Sequence, residues 1–254
     1  MLDQPYFHVD HRIEGENPHW VIICDHASNR VPFQVNDGDL GLPEEDMARH
    51  IAFDPGAAGV TRALAQSLSA PAILSNFSRL VIDPNRGEDD PTLLMRLYDG
   101  SIIPANRKAD RAEKERRLDL FYRPYHQAVT EVLAEHPGAI IVSVHSYARQ
   151  LQGRAPRPWH IGLLYSEDSR LAHPLLQHLL DEEDICVGDN QPYSGHLHGD
   201  TMDRHGVQPG RPHILIELRN DLIATLSDQI HWAQRLAPIL RKARADMVKE
   251  MTVG

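Results

Sequence analysis

The sequence predicts an α/β fold: a mostly parallel or mixed central sheet flanked by helices, built as a single domain over residues 1–254. Three observations carry this expectation. Short apolar runs bounded by turn residues alternate with longer helical periods, the order produced when the strands of one sheet are joined through helices. Three of the runs lead onto ionisable side chains, and open α/β sheets place their ligands at such strand ends. The composition is that of a chain able to bury a sizeable core, with 41% hydrophobic, 24% charged and 6% aromatic residues over 254 positions, which excludes disordered and fibrous classes.

Taken in order, residues 1–14 are polar, with Asp3, His8, Asp10, His11 and Arg12, and lack the apolar centre of a signal peptide. Trp20–Cys24 reads as a buried strand and leads into Asp25, His26, Ala27, Ser28 and Asn29. A helix is expected over 55–69, with Asp54 as its N-cap and Pro55 at the first helical position. Residues 72–74 and 80–82 read as strand material, and 87–106 as a polar, interrupted segment. Residues 109–135 carry a helical period that places Leu118, Leu120, Phe121, Tyr125, Val129 and Val132 on one face, bent or divided at Pro124. Residues 139–144, β-branched and nearly uninterrupted, are the clearest buried strand and end on His145. Further strands are expected over 160–165 and 213–218, and an amphipathic helix over 227–250 closes the chain.

The formal charge of −10 gives no electrostatic support to a nucleic-acid or acidic-membrane partner. No apolar run approaches the roughly 20 residues of a membrane span. Cys24 and Cys186 form no Cys-x-x-Cys pair, so neither a disulfide scaffold nor a thiolate zinc finger is indicated, and a reducing cytoplasm fits best. The 16 histidines are a surplus over what packing requires and point toward metal chemistry.

Strand-end placement selects among them. His26 follows the first strand, His145 ends the strand over 139–144, and Glu217 lies near the end of the late strand. Two imidazoles and a carboxylate around a zinc ion leave a position open for water, and a further carboxylate can serve as general base. A hydrogen-bonded structural histidine is the alternative at either position alone. Glu217 is the more telling residue, because a carboxylate within Ile214-Leu215-Ile216-Glu217-Leu218 is costly to bury unless a cation meets it. Arg219 is expected to project to the opposite side of the strand, so that cation should be distant in sequence. A second constellation is Ser78-Arg79-Leu80-Val81-Ile82-Asp83-Pro84-Asn85-Arg86, whose guanidinium forks suit a substrate carboxylate or a developing oxyanion. A turn with a solvated arginine is its structural alternative.

These blocks carry a resemblance. Val21-Ile22-Ile23-Cys24-Asp25-His26-Ala27-Ser28-Asn29-Arg30-Val31-Pro32, residues 78–86, Val144-His145-Ser146 and Ile216-Glu217-Leu218-Arg219-Asn220-Asp221-Leu222-Ile223 resemble, in this order, the signature blocks of the N-formylglutamate amidohydrolase family. The resemblance runs over about 18–237. It implies a zinc-peptidase-like α/β fold and a hydrolase, dependent on one divalent metal ion with zinc expected, that cleaves the amide of an N-acylated acidic amino acid such as N-formylglutamate. By motif, His26 and His145 become metal ligands, Asn85 and Arg86 the substrate or oxyanion clamp, and Glu217 the general base. Related zinc carboxypeptidases and aspartoacylases use a His-x-x-Glu pair, whereas this chain has Asn29 at the carboxylate position. Asp54, ahead of the next helix, is the proposed third ligand; the alternatives are that it only caps that helix and that Asn29 is the ligand. Segments 153–160 and 188–195 also resemble family blocks, which makes Arg154, Arg157 and Tyr193 candidate substrate contacts beside Arg79 and Arg219. His196, His198 and His205 read as part of a solvated active-site flap, with a metal role as the alternative. Two further functions stay open: a related amidase acting on another N-acyl substrate, and a catalytically silent ligand-binding protein. A small-molecule substrate is expected; oligomeric state is left open.

Overall fold

A computed structural model describes residues 7–10, 19–195 and 197–253. The strands are β1 (Phe7–Asp10), β2 (Trp20–Cys24), β3 (Ala72–Ser75), β4 (Leu97–Tyr98), β5 (Ser101–Ile102), β6 (Ile140–Tyr147), β7 (Ile161–Leu164), β8 (Val187–Asp189) and β9 (His213–Arg219). The helices are α1 (Glu44–Met47), α2 (Ala57–Leu68), α3 (Pro104–Arg107), α4 (Arg111–Arg117), α5 (Arg123–Glu135), α6 (Ala172–Leu180) and α7 (Leu226–Val253). One mixed sheet runs in the order β1-β3-β2-β6-β9-β7-β8, and β4 and β5 form a separate hairpin. The four central strands β3, β2, β6 and β9 are mutually parallel. β1 is antiparallel at one edge, and the β7-β8 pair runs antiparallel to β9 at the other.

The sheet is covered on both faces, which is why its central strands read as continuous apolar runs. Alternation still assigns each residue to a face. Trp20, Ile22, Cys24, Val142, Val144, Ile214, Ile216 and Leu218 join α2, α6 and α7 in one core. Val21, Ile23, Ile73, Ile141 and Leu215 join α5 and the buried loop residues Phe77, Leu80, Val81 and Ile82 in the other. Asp25, His145 and Glu217 continue the period of this second face, so these polar groups lie on the α5 side at the C-terminal ends of β2, β6 and β9. Among the described residues no helix is long and apolar enough to cross a membrane.

Several expectations change. Residues 80–82 are buried but are loop, because side chains satisfy their backbone in place of a ladder. Asn106 Nδ2 donates to Leu80 O at 2.8 Å, buried Arg117 Nη1 donates to Val81 O at 2.8 Å, and Val81 N turns back to Ser78 O at 2.9 Å. The helix expected from Pro55 begins at Ala57, with Gly56 at its N-cap at φ 83° and no side-chain cap. Asp54 therefore does not cap α2, and its carboxylate is spent elsewhere. The helix over 109–135 is divided by a π-helical turn at Leu118–Tyr122, just before Pro124. Proline lacks an N–H and its ring crowds the carbonyl four residues back, and a wider turn relieves both. His145 does not end its strand, since β6 continues to Tyr147. Part of the polar N-terminal stretch forms β1; the rest of residues 1–14 lies outside the described residues.

Close approach requires a glycine at position 162. Gly162 of β7 pairs with Glu217, and a Cβ there would lie 1.9 Å from the backbone oxygen of Gln191. Gly162→Ala should lower the free energy of unfolding in urea by about 1–3 kcal/mol as the 190–192 backbone is displaced. Gly138→Ala, where a Cβ meets nothing within 4 Å, is the control. Equal midpoints for the two variants would contradict the packing described.

Candidate active site

Three neighbouring parallel strands deliver the polar groups. His26 lies two residues past β2, and its carbonyl accepts from Asp54 N at 2.9 Å, which carries the loop before α2 back over the sheet. His145 of β6 stands opposite Glu217 of β9. Asp54 Oδ2 sits between the two imidazoles, 3.3 Å from His26 Nδ1 and 2.9 Å from His145 Nδ1, and also accepts from Ser146 N at 3.2 Å. The rings stand edge to face with centroids 4.9 Å apart. One ligand atom from each of His26, Asp54 and His145 lies within 4.8 Å of the others, and all three residues are buried.

The second ring nitrogens face further carboxylates. His26 Nε2 lies 2.7 Å from Asp83 Oδ1, and His145 Nε2 lies 3.1 Å from Asp25 Oδ2. Metal-bound histidines are oriented in this way, because a carboxylate on the outer nitrogen fixes tautomer and ring angle. Asp25 also accepts from Tyr125 OH at 2.8 Å, Thr201 Oγ1 at 2.9 Å and Ser143 Oγ at 3.2 Å. Asp83 accepts from Arg79 Nη2 at 2.7 Å and from Asn85 N at 2.9 Å.

The electrostatics describe a place for a cation. Burial alone would raise the carboxyl of Asp25, but the hydrogen bond and charge of His145 outweigh it and bring it to about 2. Burial is likewise overcome at Asp54, chiefly by His26 and His145, and at Asp83, chiefly by Arg79 and His26; both stay well below the usual carboxylate range. Burial would lower His145, yet Asp25 and Asp54 raise it to about 10. Glu217 moves the other way, pushed up to about 8 by burial and by Asp54 against the pull of His145, Arg79 and Arg157. Asp54 Oδ1 and Glu217 Oε2 are buried without hydrogen-bond partners. Two nitrogens and a carboxylate oxygen with an unpartnered neighbour suit one divalent ion.

The cleft above this cluster brings together His26, Asp54, Arg79, Asn85, Arg86, His145, Tyr193 and Glu217. Arg86 spends Nε on Thr92 Oγ1 and Nη1 on Asn85 O. Asn85 Oδ1 accepts from Thr201 N. Arg79 is turned mainly to Asp83, with Nη1 3.6 Å from Asp54 Oδ1. Arg157 stands behind the wall, stacked over the rings of Tyr147 and Tyr193 and donating to Tyr193 OH at 3.1 Å. Arg154 is exposed and outside the cleft. Arg219 shares the face of Glu217, since residues two apart on a strand point the same way, which corrects the opposite expectation. Its Nε is engaged by Asp221 Oδ1 at 2.7 Å and it does not line the cleft. Asn29 is exposed and donates to Met47 O, away from the imidazoles. Of the loop histidines, His198 is exposed, His205 is buried rather than solvated, and His196 lies outside the described residues.

Asp25, Asp83 and His50 belong to the site without having been among the expected site residues. The two aspartates stood in the quoted blocks beside His26 and Asn85, so their signal was present. His50 had none: only folding brings its Nδ1 to 3.2 Å from Asp54 Oδ1.

The family model described as N-formylglutamate amidohydrolase matches residues 19–224. The chain is 26% identical over 252 residues to an N-formylglutamate deformylase of Pseudomonas aeruginosa, covering 91% of this chain and 90% of that protein. Among solved structures it is similar to a gene product of Agrobacterium tumefaciens, at TM-score 0.88 and 31% identity, with 96% of each chain covered. It is also similar in fold to an N-formylglutamate amidohydrolase from Ralstonia eutropha, at TM-score 0.68 and 23% identity, covering 92% of this chain and 98% of that one.

Asp54→Ala should weaken zinc binding, measured by competition with a chromophoric chelator, by at least about tenfold, while Asn29→Ala leaves it unchanged. Full metal binding in the first variant and its loss in the second would assign the third ligand to Asn29.

Proposed function

The chain belongs to the N-formylglutamate amidohydrolase family, whose members cleave amide bonds, and from that premise we propose that it hydrolyses the amide of an N-formylated acidic amino acid, N-formylglutamate first, to formate and the free amino acid. The observation that carries this reading is the Asp54 carboxylate held between His26 Nδ1 and His145 Nδ1, with Glu217 in register opposite His145. We read residues 1–254 as one domain with one such site.

His26, Asp54 and His145 would hold one divalent ion, and their two nitrogens and one oxygen favour zinc. When bound, the ion supplies Lewis-acid polarisation of the amide carbonyl and a lowered pKa for water. The protein's own side chains carry the remaining work. Glu217 accepts the proton of the attacking water through its unpartnered Oε2 and later passes a proton to the leaving nitrogen. Its ionised form is the competent one; burial holds the carboxyl up at about 8, with His145, Arg79 and Arg157 pulling toward the ionised form. Asp25 and Asp83 hold the imidazoles in the orientation the site needs.

Arg86 and Asn85 line the cleft where a tetrahedral oxyanion would form, and they donate to it. Arg79 and the Arg157–Tyr193 pair supply fixed positive charge for the substrate carboxylates. An acidic protein needs such local cations, because its net field repels an acidic substrate. A carboxylate at Asp54 supports an enzyme over a silent binding protein. The unpaired Cys24 and Cys186 support a reducing, cytoplasmic setting.

Release of formate from N-formyl-L-glutamate by zinc-loaded protein tests the substrate. Chelation should abolish it and zinc restore it. Glu217→Gln should keep the metal and lose on the order of 100-fold or more in kcat. An unchanged rate in that variant contradicts the role of Glu217, and activity confined to other N-acyl amino acids would move the substrate class.

A further inference from the structure

On the far side of the Arg86 loop, a groove of about 580 Å³ is lined by Arg123, His126, Arg204, His205 and Arg211, none of which the reaction uses. Its volume falls in the range of small-molecule sites, roughly 300–1,000 Å³. Arg123 is neutralised by Glu88, Glu115 and Asp119. Arg204 and Arg211 have no carboxylate partner among the described residues, in a chain of formal charge −10. Arg211 is occupied with the carbonyls of His136, Pro137 and Ala139. Arg204 is less so: its Nη2 donates to Tyr122 OH at 2.9 Å, its Nε is buried with no acceptor, and its Nη1 makes no hydrogen bond among the described residues and is left to the groove. An unanswered guanidinium donor is expensive in a folded protein, and an unseen ligand is one of the standard reasons for it.

The neighbouring histidines settle what kind of ligand fits. Pro84 O can only accept, so His126 Nε2, 3.0 Å away, carries a proton. Burial, with the charges of His205 and Arg204, lowers His126 to about 3, so its Nδ1 is left as an acceptor. His205 Nε2, 3.0 Å from that nitrogen, must then donate. His205 is itself lowered to about 4 by burial and Arg204, which leaves its Nδ1 as a lone pair with no hydrogen bond among the described residues. The groove therefore offers a cationic donor at Arg204 and a neutral acceptor at His205. Both are held in place beforehand: Arg204 is stacked over the Tyr122 ring at 5.3 Å, and the His126 and His205 rings are joined edge to edge by their hydrogen bond, with centroids 5.2 Å apart. The two supports end on main-chain oxygens of the catalytic loop, Tyr122 OH on Arg86 O at 2.6 Å and His126 on Pro84 O.

We propose that this groove binds a phosphate group that carries a hydroxyl, its oxygens accepting from Arg204 and its O–H donating to the free Nδ1 of His205. A simple carboxylate answers the arginine but leaves the imidazole unmet, because at neutral pH it has no proton to give.

Calorimetric titration of the full-length, zinc-loaded protein with inorganic phosphate and, separately, with acetate tests this. Phosphate should bind with a dissociation constant below about 10 mM, and acetate on the order of tenfold more weakly. Arg204→Gln should weaken the phosphate site by on the order of tenfold or more, and Arg204→Lys, which keeps the charge without the fork, by less. Arg86→Gln, in the catalytic cleft, should leave that site intact. Urea unfolding of each variant shows that it is folded. Absence of phosphate binding, acetate binding as tight as phosphate, or phosphate affinity unchanged in Arg204→Gln would overturn the proposal.

Discussion

The carboxylate of Asp54, 1% exposed and placed between two imidazoles, is the constraint on which the remaining structure depends. A carboxylate removed from water is tolerable only where cations or hydrogen-bond donors replace its hydration. Here the replacements come from separate parts of the chain: His26 beyond β2, His145 and the Ser146 amide in β6, and the Arg79 guanidinium at 3.6 Å. Asp25 and Asp83 then secure the imidazoles from behind, and Arg79 secures Asp83. Each layer of charge calls for the next, alternating in sign outward from the cleft.

The sheet makes this layering geometrically possible. Parallel β2, β6 and β9 present their C-terminal ends side by side, and the period of two sends Asp25, His145 and Glu217 to one face while Cys24, Val144 and Ile216 pack under α2 and α7. Asp25 ties the arrangement to that face, since its acceptors gather Ser143 of β6, Tyr125 of α5 and Thr201 of the late loop as well as His145. The buried loop over 76–86 covers the face in place of a helix, and this brings Arg79, Asp83, Asn85 and Arg86 over the strand ends. Gly162 permits the 190–192 backbone to pass close to Glu217, and the same loop carries Tyr193 into the cleft.

What could be read from residues alone follows from which interactions are local. Strands β2, β6 and β9 were legible because burial on both faces leaves an uninterrupted apolar run. His26, His145 and Glu217 were legible because they interrupt or end those runs. Residues 80–82 misled because an apolar triplet looks the same whether its carbonyls meet a neighbouring strand or the side chains of Asn106 and Arg117. Asp54 next to Pro55 looked like a helix cap, and only the fold shows α2 starting at Gly56 and the carboxylate turned to the histidines. His50 and the His126–His205 pair were invisible for a related reason: their partners lie across the fold or, as with Asp54, in a loop whose course is set by tertiary contacts.

The central claim is that Nδ1 of both histidines, with Asp54, forms the metal site, since both Nε2 atoms are already committed to Asp83 and Asp25. Anomalous diffraction at the zinc edge from crystals of the zinc-loaded protein tests it most directly. The account predicts one strong peak at a distance of about 2.0–2.1 Å from His26 Nδ1 and His145 Nδ1, with an Asp54 oxygen as third ligand. A peak on either Nε2, or one that leaves Asp54 out of the coordination sphere, would contradict it.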